Sequence, residues 1–180
     1  MCIRDRPQAV VSCFQRLAES APQSSIMDVL RTGVSILGQL ECDNGPDELP
    51  HNCDLSEERN KAEQLLGQVP ALLIIWIDCL RDRQPSPWPS KPLATALLEN
   101  VCQTKVSDIA ATVFNTTLIL YAEHEFNAST FVARTVTSTG SDMHSGVAAA
   151  IGTLKGPLHG GANEKVLHQL MDIGVPENIE

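Results

Sequence analysis

Apolar residues in this chain recur at intervals of three and four and almost nowhere in strict alternation, which restricts it to helices packed on helices. Val10, Val11, Phe14 and Leu17 form one stripe, and Met27, Val29, Leu30, Val34 and Leu37 form a longer one. The spacing predicts two amphipathic helices, the second capped by Ser24 or Ser25 and stopped at Gly38. Residues 41–54 are acidic and turn-rich, with Asn44-Gly45-Pro46 at their centre, and read as a loop. Ser56 then caps a third helix through Leu65 and Leu66, with Gly67 interrupting it and Pro70 opening a new one. That new segment, with Leu72, Leu73, Ile75 and Trp76, is apolar nearly all round and belongs in the core. Pro85, Pro87, Pro89 and Pro92 bar regular helix, and helical spacing resumes over residues 93–101 and 107–121.

In the last third, Ser129 or Thr130 is placed to cap a helix with Phe131, Val132, Thr135 and Val136 on one face, ended by Gly140. Ser141 is placed to cap the next, with Asp142 in its first turn and Met143, Val147, Ala150, Ile151 and Leu154 facing a core. The small residues Gly146, Ala148, Ala149 and Gly152 let a neighbouring helix approach closely. Asn163 caps a final helix through Val166, Leu167 and Leu170, stopped by Gly174 and Pro176. The fold class is all-α, with no strand pair and no internal repeat of fixed period.

Composition narrows the function classes. The 180 residues are 43% hydrophobic and 19% charged, enough apolar material for a sizeable core. A formal charge of -9, with no cluster of Lys and Arg, argues against a nucleic-acid partner. Cysteines at positions 2, 13, 42, 53, 79 and 102 contain no Cys-x-x-Cys pair and no zinc spacing with histidine, so they read as reduced thiols in the cytoplasm. The longest apolar run, residues 71–77, is far short of the roughly 20 residues that span a bilayer, so no membrane association is expected. Residues 1–6, Met-Cys-Ile-Arg-Asp-Arg, look like translated adapter sequence and are set apart from the fold, which leaves residues 7–180 as the folded part.

Two segments carry chemistry. In Gly156-Pro157-Leu158-His159-Gly160-Gly161-Ala162-Asn163-Glu164 a histidine sits in a proline- and glycine-bounded turn at a helix entrance. Pro157 restricts the backbone, the glycines bring N–H groups close to a bound group, and the helix's positive end favours an anion or a developing oxyanion. In Glu123-His124-Glu125-Phe126-Asn127-Ala128-Ser129-Thr130 a second histidine precedes another helix, and Asn127 offers a donor and an acceptor suited to a carboxylate ligand or to a cap. Two imidazoles at two helix entrances suggest one site. Ser141-Asp142-Met143-His144-Ser145 is too compact on one helix for a nucleophile, base and orienter. Position 128 is Ala, so His124-Glu125 is not the helical zinc motif, and the glycine turn lacks the phosphate-loop lysine. No metal and no nucleotide cofactor is expected.

Residues 121–131, 141–145 and 156–164, taken in order, closely resemble three successive segments of the citrate synthase family, which includes 2-methylcitrate synthases, and residues 27–35 resemble an earlier one. The resemblance implies an all-helical enzyme that condenses an acyl-CoA with oxaloacetate and then hydrolyses the thioester, the CoA thioester being a substrate and no cofactor being needed. It assigns to His159 the hydrogen bond that stabilises the thioester enol or enolate, to His124 the binding of oxaloacetate, and to Asn127 a place in the same binding segment. Acetyl-CoA is the first reading of the acyl donor and propionyl-CoA the alternative, toward which Glu-His-Glu-Phe-Asn leans. The resemblance also implies a homodimer.

Members of that family run to roughly twice this length, a size at which chains divide into domains. The second catalytic histidine, the proton-accepting aspartate and the carboxylate-binding arginines are therefore expected beyond residue 180, with residues 7–180 forming an incomplete large domain that is inactive alone and exposes apolar surface. The rival from another class is a non-catalytic helical interaction module on the same scaffold.

Overall fold

The computed structural model describes residues 7–41, 55–84, 90–123 and 125–178. Among these are α1 (Gln8–Ser20), α2 (Ile26–Leu40), α3 (Leu55–Leu80), α4 (Leu93–Cys102), α5 (Asp108–Ala122), α6 (Ala128–Thr137), α7 (Met143–Leu154), α8 (Gly161–Ile173) and a 3-10 turn (Pro176–Asn178), with no strand among the described residues. The all-α reading is the observed fold class.

The stripes read from the sequence become one core. Val10 and Phe14 of α1, Val29, Val34 and Leu37 of α2, and Leu72, Ile75 and Trp76 of α3 are buried together, joined by Ala148 of α7. Phe14 meets Trp76 edge to face, with ring centroids 6.0 Å apart and planes at 85°, the arrangement that sets a positive ring edge on a negative face. Burying a side chain such as Phe14 contributes about 1.5–3 kcal/mol. Helix α2 is the hub: it packs on α1 and α3 and also on α7, and α7 packs in turn on α6. This chain of contacts runs from the core to the segments that carry His159 and Asn127.

Several local expectations give way to tertiary packing. Gly67 and Pro70 do not divide α3, which runs unbroken from Leu55 to Leu80. Proline in a helix interior costs about 3 kcal/mol or more, but Leu65 and Gln68 before it and Ala71 and Leu72 after it are all buried, so one core holds both halves in line. The unbroken helix is long and apolar enough to cross a membrane by length and composition. Its first half carries Glu57, Glu58, Arg59, Lys61 and Glu63, however, and its second half fills the core, as the central helix of a water-borne bundle does. Gly38 does not end α2 but lies inside it, where α7 comes close. Ser25 occupies the N-cap position of α2 without a side-chain bond to the helix. The acidic loop from residue 42 to 54, residues 85–89 of the proline-rich stretch and residues 1–6 lie outside the described residues.

Candidate active site

Helix α6 starts at Asn127, whose side-chain oxygen accepts a hydrogen bond from the Thr130 N–H at 2.9 Å. Asn127 therefore caps the helix in place of Ser129 or Thr130, as its stronger N-cap preference allows. Ser129, released from capping, sits in the first turn with its hydroxyl oxygen 2.8 Å from Nε2 of His159 and 3.2 Å from the carbonyl oxygen of Ala150 in α7. The first turn of α6 and the His159 turn thus meet through a serine that the sequence offered only as a helix cap.

The turn is built from its own backbone. Gly156 N–H donates to Thr153 at 3.0 Å, His159 N–H to Gly156 at 2.9 Å, and Gly160 N–H to Leu154 at 3.0 Å. The Gly160 amide is therefore committed to the end of α7 and is not offered to a ligand, contrary to the expectation from sequence. What requires glycine at 160 is contact: a Cβ there would overlap the Leu154 carbonyl oxygen. Helix α8 begins at Gly161 with Gly160, not Asn163, at its N-cap; Gly160 already has helical angles, φ -70° and ψ -22°, and no side chain caps the helix. The free amides of its first turn and its positive end lie directly after His159.

Both ends of α7 are fastened. At the N-terminus the cap is Asp142 and not Ser141: its carboxylate accepts from the Ser145 N–H at 2.9 Å and from the Ser145 hydroxyl at 2.6 Å. Burial opposes ionisation of Asp142, but these two bonds outweigh it and hold the carboxyl below its ordinary range. At the other end Lys155 donates to Asp28 of α2 at 2.6 Å, and Arg31 joins the same carboxylate at 3.0 Å. The Lys155 bond is the largest cause of a lowered Asp28 pKa, acting against burial. The turn therefore leaves α7 from a fixed point.

The single hydrogen on the Ser129 hydroxyl decides what His159 can do. Directed at Ala150, it leaves the hydroxyl oxygen to accept from Nε2–H, and Nδ1 is then an acceptor. Directed at Nε2, it fixes the proton on Nδ1 and makes that nitrogen a donor. A donor role toward a thioester oxygen belongs to the second arrangement. His159 is half-buried, with Nε2 held against the Ser129 hydroxyl.

His124 lies outside the described residues. Beside it, Glu125 adopts φ 74°, an uncommon angle for a residue with a side chain, and its N–H donates to the Glu123 carboxylate at 2.6 Å. Phe126 packs edge-on against Phe131 at 5.8 Å and lies under the Arg134 guanidinium at 5.2 Å. His144 is buried against Glu41 and Gly38. Among the described residues no three His, Cys, Asp or Glu side chains gather as a metal site. Two open clefts, of about 450 and 670 Å³, both border Arg83 and Gln84, and neither includes His159, Ser129 or Asn127.

Comparison with known proteins fits this geometry. Residues 3–180 match the family model described as citrate synthase, C-terminal domain. The 2-methylcitrate synthase of Shewanella oneidensis is 39% identical over 95% of this chain and 43% of its own length. Citrate synthase 2 of Bacillus subtilis is 38% identical over 97% of this chain and 45% of its own. Among solved structures, the citrate synthase of Thermoplasma acidophilum in complex with carboxymethyl coenzyme A and oxaloacetate superposes with a TM-score of 0.79 at 28% identity, covering 96% of this chain and 43% of that one. The chain thus spans less than half the length of these relatives, and it belongs to the citrate synthase family.

Proposed function

We propose that this chain supplies the enol-stabilising half of an acyltransferase that condenses acetyl-CoA with oxaloacetate to give citrate and CoA. The observation that carries this reading is the 2.8 Å contact between Ser129 and His159, which ties an imidazole into a turn of fixed backbone between two helices. With the Ser129 hydrogen on Nε2, Nδ1–H donates to the thioester oxygen as a base removes the α-proton and negative charge moves onto that oxygen. A fixed donor is worth most at such a developing charge, because it needs no reorganisation during the step. The enol carbon then bonds to the oxaloacetate ketone carbon, and water cleaves the thioester to release CoA. His124 and Asn127 are assigned to the oxaloacetate side, Asn127 standing at the positive start of α6.

Propionyl-CoA, giving 2-methylcitrate, is the second reading, favoured by the similarity to the Shewanella protein. We place the enzyme in the cytoplasm and assign it a homodimer. The free thiols of Cys13, Cys79 and Cys102 support the first, and the apolar residues exposed on α5 support the second. The base and the remaining carboxylate-binding groups are assigned outside these 180 residues, so the chain alone is expected to be inactive.

The test is a chimera in which residues 7–180 replace the matching part of the Shewanella enzyme, assayed for CoA release with each acyl-CoA. Turnover is expected, reduced about 100- to 10,000-fold by His159→Ala, the range typical of a lost acid–base partner. Ser129→Ala is expected to lower kcat with little change in KM. A folded chimera without turnover, or one indifferent to His159→Ala, overturns the reading.

A further inference from the structure

The two ends of α7 are held by different means. Its start is held by packing, since His144, Gly146 and Ala148 are buried. Its last residue, Leu154, is 42% exposed and Lys155 after it is exposed as well. What fastens this end is an ion pair. Lys155 Nζ donates to Asp28 Oδ2 at 2.6 Å, between residues 127 positions apart. The other oxygen, Oδ1, accepts from Arg31 Nη2 at 3.0 Å, so each oxygen of one carboxylate is held by a cation. The Arg31 stem runs beside the last turn of α7, where a Cβ on Gly152 would lie 3.7 Å from its Cδ. Asp28 is in the first turn of α2 and Lys155 is the C-cap of α7, so each charge stands at the helix end whose dipole it complements.

The backbone after Lys155 has little slack. Gly156 N–H donates back to Thr153, and Gly160 N–H returns to Leu154, the residue before Lys155. His159 is therefore referred to two places: its backbone to the end of α7, and its Nε2 to Ser129 of α6. A shift of the end of α7 carries the backbone of the turn with it and opens the 2.8 Å contact with Ser129. The pair itself adds little to stability, because the Lys155 and Asp28 side chains are 44% and 31% exposed and ion pairs open to solvent are weak. Placement is more demanding than stability, since about 1 Å of misplacement can cost on the order of 100-fold in rate.

We propose that Lys155 and Asp28 are positioning residues for His159: their ion pair holds the end of α7 against α2 and thereby sets where the imidazole stands. They act through the turn and not on the reacting atoms. The kinetic consequence rests on the enol-stabilising role proposed for His159. The structural one does not, because it is read on the chain without substrate.

Backbone 15N relaxation of the 180-residue chain reads the structural consequence. The amides of Gly156, His159 and Gly160 are expected near the rigid order parameter of about 0.85 in the wild type and to fall toward about 0.6 in Lys155→Met. Those of His144 and Ala148 are expected to stay put, and Lys155→Arg, which keeps a cation, to restore the turn. A turn as rigid in Lys155→Met as in the wild type overturns the proposal. Kinetics are read in the chimera with the Shewanella enzyme. There Lys155→Met is expected to lower kcat roughly 10- to 100-fold with little change in KM, while its unfolding constant changes less than about fivefold. Asp28→Asn should act alike, and the double variant should fall no further than either single one. Additive losses overturn the pairing, and a raised KM for the acyl-CoA at unchanged kcat overturns positioning in favour of ligand binding by Lys155. A wild-type chimera without turnover counts against the role of His159 alone, and the order parameters then decide whether the ion pair holds the turn.

Discussion

Helices α3 and α5 are both rich in apolar residues, yet they end in opposite environments. Leu72 and Ile75 of α3 are 2% and 1% exposed, whereas Ile109 and Leu120 of α5 are 77% and 69% exposed, and no residue of α5 is buried. Helix α8 resembles α5 in presenting Val166, Leu167, Leu170 and Met171 to solvent. The difference teaches that apolar content states which side chains call for cover and not which neighbour supplies it. Helix α3 is covered by α1 and α2 within this chain, while α5 and α8 carry an uncovered surface larger than scattered single residues would make.

The widest gap between the two regions is expected on truncation. Phe14→Ala should destabilise the chain by about 3–5 kcal/mol in urea unfolding, since it leaves a cavity against Trp76, while Leu170→Ala should stay within about 0.5 kcal/mol. Similar losses at both sites would erase the distinction. Gly160→Ala comes next, at roughly 1–3 kcal/mol, because its methyl must displace the Leu154 carbonyl. If its unfolding midpoint is unchanged, the turn is looser than its hydrogen bonds imply.

Asp142→Ala should remove about 1 kcal/mol with the cap it supplies to α7. The wild-type contribution has a defined pH window: the folded carboxyl titrates below the unfolded value of 3.8, so its stabilisation is complete above that value and is lost as the pH falls through the folded one. Acid titration of the difference between wild type and Asp142→Asn, which cannot titrate, checks the sign. The smallest change in stability, within about 0.5 kcal/mol, is expected for the pair Ile109→Lys and Leu120→Lys. Sedimentation should nonetheless show weaker self-association, and a loss of folding would mean that α5 belongs to the core after all.

Seven of the eight α-helices among the described residues were legible because each keeps its own apolar stripe at helical spacing. The continuity of α3 was not, because Gly67 and Pro70 are local breaking signals and only the burial of Leu65, Gln68, Ala71 and Leu72 overrides them. The caps of α6, α7 and α8 were read one to three residues away from where they fall. Asn127 and Asp142 outcompete neighbouring serines as caps, and α8 starts in its glycines without any side-chain cap. At the site, His159 stood out through its turn, whereas Ser129 looked like a cap. Its position two residues after Asn127, in a first turn, was the available signal, and the partner 30 residues away was visible only in three dimensions. The pairing of Lys155 with Asp28 was hidden for the same reason.

Pro70 carries one further consequence. It has no N–H to give to the Leu66 carbonyl, so the hydrogen-bond ladder of α3 has a missing rung near its middle. Cooperative opening propagates along such ladders. The charged first turns, ahead of the buried Leu65 and Gln68, are therefore expected to exchange first, while the second half, bound into the core, is expected to open only with the whole molecule. One continuous helix is thus expected to exchange its amides unevenly, with the missing rung at Pro70 inside the stretch that the core protects.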